Sequence, residues 1–187
     1  MDIVDFKIKE NQNELIIYNL RNHVAISLID GHEHILITES DNSDWKENRS
    51  YLKNYWINRE VSSSLHELYI NQLPENCALT NENGFRLESY PEGTYLESFD
   101  QSMLLLSKPF RNHRKKKAVV PTVDMLLINA NSGFPGAYSF HSIYPKKIIL
   151  LGNRNDRLQM AWKKFADSRN IEFYSVNNSG AFHEKFY

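Results

Sequence analysis

The chain has 187 residues, 41% of them hydrophobic and 12% aromatic, enough to build a sizeable core in one folded domain. It carries 22 Lys plus Arg against 23 Asp plus Glu, so overall charge points to neither nucleic acid nor an anionic membrane, and any such attraction has to be local. The one cysteine, Cys77, excludes an internal disulfide and lacks neighbouring ligands for zinc, while the apolar runs Met103 to Leu106 and Ile148 to Leu151 have strand length, far below the roughly 20 residues that span a bilayer.

The N-terminal MDIVDFKIKENQ has neither a basic n-region nor an apolar h-region and reads as a first strand, Ile3 to Ile8, or as the cut edge of something longer. Leu15 to Leu20, Val24 to Ile29 and Ile35 to Thr38 follow as strands, with Asp30-Gly31 as a hairpin turn, so the first quarter predicts a β meander. From Asp44, Trp45, Tyr51, Leu52, Tyr55, Trp56 and Arg59 recur at spacings near three and four, which predicts an amphipathic helix capped by Ser43 or Asp44. A mixed segment holds Leu65 to Ile70 and Ala78 to Leu79. Asn83-Gly84 then opens a second antiparallel group that ends at Leu104 to Ser107.

The last third has the clearest punctuation. Strand Val123 to Ile128 leads to a Gly and Pro loop with a short helix near Tyr138 to Ile143. Strand Lys147 to Leu151, a helix from Asp156 to Ser168, strand Glu172 to Val176 and a Gly180-Ala181-Phe182 edge complete the series. There is no repeat, low-complexity tract or linker, so one α/β or α+β domain over residues 1–187 is expected.

Several places could carry chemistry. The loop Asn129, Ala130, Asn131, Ser132 and Gly133 stands at the carboxyl end of a buried strand, where α/β sheets hold ligands; Asn, Ser and Gly also end strands because they tolerate turns. No G-x-S-x-G surrounds Ser132 and no general base is identifiable for it. Lys108, Arg111, Arg114, Lys115, Lys116 and Lys117 put six fixed cations in ten residues, a cluster that could neutralise phosphates or simply be a solvated loop. His32 and His34 would share a strand face, but they sit in a hairpin turn with no further ligand at metal spacing, which favours solvated turn residues. At Gly152-Asn153-Arg154-Asn155-Asp156, helix capping by Asn155 or Asp156 explains the composition better than an anion site, and Trp162 and Phe165 are expected to face the sheet.

Taken together, VDMLLINANSG and IYPKKIILLGNRNDRLQMAWKKFADSRNIEFYSVNNSGAF resemble the closing half of the metallo-β-lactamase-like domain at the end of ComEC-type DNA-uptake channel proteins, in the shortened Bacteroidetes form. The features that carry the likeness are Val123-Asp124-Met125-Leu126, Pro145-Lys146, Asn170-Ile171-Glu172-Phe173-Tyr174 and Gly180-Ala181-Phe182. LIIYNLRNHVAISLIDGHEHILITESDN looks like the family's opening strands. The resemblance implies an α/β fold, a degenerate metallo-β-lactamase-like αββα sandwich with mixed sheets.

Metal-dependent members use an HxHxDH loop, a later His, an Asp and a last His to hold ions that generate hydroxide. In this chain no such loop follows Thr38. The family's HHGS loop corresponds to Asn129 to Gly133 without its imidazoles, and Ser107-Lys108-Pro109 falls near the bridging Asp. Asn is no strong ligand for a borderline metal, and the cation at Lys108 opposes one. The expectation is a pseudo-enzyme with no cofactor, no metal and no catalytic residue. It would serve as an interaction or DNA-contacting module joined to the transmembrane portion of a ComEC-like parent and tethered to the inner membrane. A free-standing cytoplasmic protein would look the same. Two other readings stay open: a hydrolase or nuclease assembled from Asp41, Asp44, His66, Asp100, His141 and Asp156, and a plain oligomerising scaffold.

Overall fold

The computed structural model describes residues 13–20, 23–31, 33–39, 43–58, 65–81, 84–90, 93–106, 122–129, 132–135, 144–152 and 155–186; of Ser43, Asp44, Asn54, Tyr55, Ile57 and Asn58 only the backbone is described. In chain order the first elements are β1 (Asn13–Ile17), β2 (Ala25–Asp30), β3 (Glu33–Thr38), α1 (Ser43–Asn58), β4 (Leu65–Tyr69), β5 (Ala78–Thr80), β6 (Arg86–Tyr90) and β7 (Gly93–Ser98). They are followed by β8 (Gln101–Leu106), β9 (Met125–Ile128), β10 (Lys147–Leu150), α2 (Asp156–Asp167), β11 (Glu172–Ser175), α3 (Val176–Ser179) and β12 (Phe182–Phe186). The predicted strand Ile3 to Ile8 and the predicted short helix Tyr138 to Ile143 lie outside the described residues. Two compact units result, Met1–Leu73 with Ala181–Tyr187, and Pro74–Gly180.

The first unit is a five-stranded sheet in the order β12-β1-β2-β3-β4. β1, β2 and β3 form the expected meander, turned at Gly31, whose φ of +56° is open to glycine without steric cost. β4 departs from the expected mixed segment: it pairs parallel to β3, so α1 is a crossover and the meander closes as a β-α-β unit. Both sheet faces are buried. Leu15, Ile17, Ile26 and Ile37 line one, while Ile16, Ile29 and Leu36 join Trp45, Leu52 and Trp56 of α1 in a core on the other. The buried stripe of α1 is Trp45, Leu52 and Trp56; Tyr51, grouped with them from its spacing, is instead 69% exposed.

The second unit is a seven-stranded sheet in the order β11-β10-β9-β8-β7-β6-β5, antiparallel from β5 to β8 and parallel from β8 to β11. The parallel strands MLLI and KIIL are nearly continuous apolar runs because both faces are covered. Leu158, Trp162 and Ala166, four residues apart on α2, meet Leu104, Leu106, Leu126, Ile128, Ile148 and Leu150 in one core, with Phe165 packed at its side. The Asn155 side chain caps α2, accepting from the backbone N–H of Arg157 and Leu158 at 3.1 and 3.2 Å. At the other end Asn170 turns left-handed at φ +55°, and the Ile171 N–H returns to the Ala166 carbonyl at 3.0 Å, a Schellman-type stop.

Candidate functional site

The loop after β9 is the position where the sequence predicts a lost metal site, and its described residues are Asn129, Ser132 and Gly133; Ala130 and Asn131 lie outside them. The Asn129 N–H donates to the Leu106 carbonyl at 3.3 Å, and the Ser132 N–H donates to the Asn129 carbonyl at 3.0 Å. The Ser132 hydroxyl, fully buried, donates to the same Leu106 carbonyl at 2.5 Å. Gly133 follows with φ +83°, and its carbonyl accepts from the Trp162 indole N–H at 3.0 Å. The loop is thus fastened to β8 through Ser132 and to α2 through Gly133.

These bonds limit what the site can do. A buried hydroxyl without its partner would cost about 1–3 kcal/mol, so Ser132 is held as a structural donor, and its proton already has an acceptor. Asn129 is nearly buried beside it. Among the described residues no three His, Cys, Asp or Glu side chains come together as a metal-ligating group. Of the alternative hydrolase set, His66, Asp100 and Asp156 are exposed, the side chain of Asp44 is not described, and Asp41 and His141 lie outside the described residues. The cationic run Lys108, Arg111, Arg114, Lys115, Lys116 and Lys117 also lies outside them.

The opposite end of the parallel strands holds a polar cluster that explains two of the motifs. Asp124, in the position before β9, accepts at its carboxylate from the Ser102 N–H at 2.9 Å and from the Ser102 hydroxyl at 2.8 Å, and pairs with Lys146 Nζ at 2.8 Å. Its carbonyl accepts from the Lys146 and Lys147 N–H groups, and its own N–H donates to the Ser102 carbonyl. One aspartate therefore aligns the starts of β8, β9 and β10. Burial pushes its carboxyl up, but Lys146 and the two Ser102 donors together outweigh that and hold it below the usual carboxylate range. The Val-Asp and Pro-Lys features are two halves of one ion pair.

His34 corrects the expectation of a solvated turn residue. It is fully buried on β3, with Nε2 2.7 Å from Ser27 Oγ and its ring edge-on to Trp56 at 5.4 Å between centroids. His32 lies outside the described residues. A second buried polar group, absent from the sequence reading, is Glu14. It is 1% exposed on β1 and pairs with His183 at 2.9 Å and Lys185 at 3.2 Å, both on β12. Alternation along β1 could have marked Glu14 as inward, but its partners lie at the far end of the chain.

The whole fold has solved counterparts. The chain is similar to the metallo-β-lactamase fold protein YhfI from Bacillus subtilis, with a TM-score of 0.53 and 7% identity over 92% of this chain and 99% of that one. It is also similar to a protein assigned as a metal-dependent hydrolase from Parabacteroides distasonis ATCC 8503, with a TM-score of 0.56 and 11% identity over 88% of this chain and 94% of that one. At these identities the likeness establishes the fold: a mixed α/β protein with two mixed sheets, of the metallo-β-lactamase class. Residues 15–186 match the ComEC C-terminal domain, and the chain belongs to that family. Competence and DNA uptake are the processes that go with it, in the setting of a membrane-associated parent. No curated protein matches the chain. No helix among the described residues is long and apolar enough to cross a membrane.

Proposed function

We propose that this domain is a non-catalytic interaction module of a ComEC-like DNA-uptake protein, and that it contacts DNA phosphates through Lys108, Arg111, Arg114, Lys115, Lys116 and Lys117. The observation that carries the non-catalytic half is the bonding of the β9 loop. Ser132 and Gly133, at the family's ligand position, are committed to Leu106 and Trp162, which turns a ligand loop into a packing joint. The DNA half rests on the local charge of the Lys108 to Lys117 run in a chain that is otherwise balanced.

Both halves are testable on purified protein. With Zn or Mn supplied, single- and double-stranded DNA should remain uncut; metal-dependent cleavage abolished by chelation would overturn the pseudo-enzyme reading. DNA affinity should fall about a thousandfold between 50 and 200 mM salt if the six cations engage phosphates. Charge reversal across Arg114 to Lys117 should weaken binding of every sequence alike. Binding unchanged by that reversal would remove the loop from the interface.

A further inference from the structure

Beneath α1 the first unit buries a continuous polar chain. The Trp56 indole N–H donates to the Tyr18 hydroxyl at 3.0 Å, Tyr18 lies 3.0 Å from Ser27 Oγ, and Ser27 Oγ lies 2.7 Å from His34 Nε2. The four side chains are buried, and the ladder puts Tyr18, Ser27 and His34 on one sheet face, with the Tyr18 N–H bonded to the Ala25 carbonyl, Ser27 opposite Leu36 and Ile29 opposite His34. Trp56 fixes the first bond, because an indole only donates, and the order of the other two follows the tautomer of His34. With the Tyr18 oxygen accepting from Trp56, each hydroxyl makes one donation if Tyr18 gives its proton to Ser27 and Ser27 gives its proton to Nε2. That order makes His34 an acceptor at Nε2 and so a neutral ring protonated at Nδ1.

We propose that this chain is an acid-sensitive latch that holds α1 on its sheet while His34 stays neutral and releases it when His34 takes up a second proton. Protonation at Nε2 would make Ser27 an acceptor there, and with four protons for the three contacts of the chain one hydroxyl proton would lose its acceptor within it. It would also place a charge where water has no access. Among the described residues, the titratable or charged groups on this face are Glu14 and Tyr18 from the β1 segment, Glu67 and Tyr69 on β4, Arg49 on α1, and His183 and Lys185 on β12. The two carboxylates already have partners: Glu67 pairs with Arg49 at 2.5 Å, and Glu14 pairs with Lys185 and shares a hydrogen bond with His183. Neither is left over to neutralise an imidazolium at His34.

A buried neutral histidine binds fewer protons folded than unfolded. Its contribution to stability is therefore complete above the ordinary histidine pKa of about 6.5 and is lost as pH falls below it. Ring-nitrogen NMR on the wild-type protein, with His34 assigned through bonds to its backbone, tests the tautomer directly. The expected result is an Nδ1-protonated neutral ring that does not titrate while α1 is folded. Amide hydrogen exchange should then show α1 and β3 opening about tenfold more often at pH 5.5 than at pH 7.5, after correction for intrinsic rates, with β9 and β10 unchanged. In His34→Gln that pH difference should vanish. An Nε2-protonated neutral ring, or a ring that titrates near pH 6.5 with α1 still protected, would overturn the latch.

Discussion

Two helices in this chain are anchored through a tryptophan, and the two anchors differ in what lies under them. In the second unit Trp162 sits in a core of aliphatic and aromatic side chains and donates to the Gly133 carbonyl at the loop after β9. In the first unit Trp56 is equally buried, but it donates into a file of three further polar side chains that ends at a histidine. A core of the first kind depends on area and shape, and its stability changes little with pH. A core of the second kind specifies one arrangement of donors and acceptors and is exposed to protonation. The loop after β9 belongs to the first kind: Ser132 and Gly133 fasten it to Leu106 and Trp162 in one joint.

The largest effect expected from that contrast is at Trp162. Trp162→Ala should cost about 3–5 kcal/mol, measured by denaturant unfolding, because it removes the centre of the core and the donor to Gly133 together. Trp56→Phe keeps a ring in the first unit and loses the donor to Tyr18, so about 1–3 kcal/mol is expected there, with the pH response of α1 altered and that of α2 unchanged. An equal pH response in both units would erase the distinction drawn between them.

Smaller effects sharpen the account of the loop and of its opposite end. Ser132→Ala should lower stability by about 1 kcal/mol, since a buried hydroxyl bond to Leu106 is lost. A serine held for chemistry would instead be removed with no loss of stability. Asp124→Asn should act mainly at low pH. The wild-type carboxyl is held below its ordinary value, so the stability it contributes is present above about pH 4 and is lost as pH falls towards the folded-state pKa; the Asn variant should lack that acid limb. At neutral pH its cost should be about 1 kcal/mol or less, because Lys146 is 81% exposed and the pair is solvent-screened.

The parts of the fold that were legible in the sequence are those specified by near neighbours. β9, β10 and α2 follow from apolar runs bounded by Pro145 and Asn155, and the capping side chain and the inward Trp162 were both readable from local spacing. The family resemblance also rested on residues that do structural work, since Asp124 and Lys146 meet across 22 positions. What escaped depends on distant or polar pairing. β12 reaches β1 through His183 and Glu14, 169 residues apart, and β4 joins β3 only because α1 crosses over. His34 read as a solvated turn residue, although the Asp30-Gly31 turn fixes a register that places it inward beside Ser27. The loop after β9 was legible as a place and not as a structure, because nothing local reveals that Leu106 and Trp162 are its partners.

The central claim is that the β9 loop has exchanged metal binding for packing. Its most direct test is the metal content of the purified chain, by elemental analysis after equilibration with Zn and with Mn. The account predicts bound metal far below one ion per chain and no saturable site on titration. One or two tightly held ions per chain, released together with a hydrolytic activity on chelation, would contradict it.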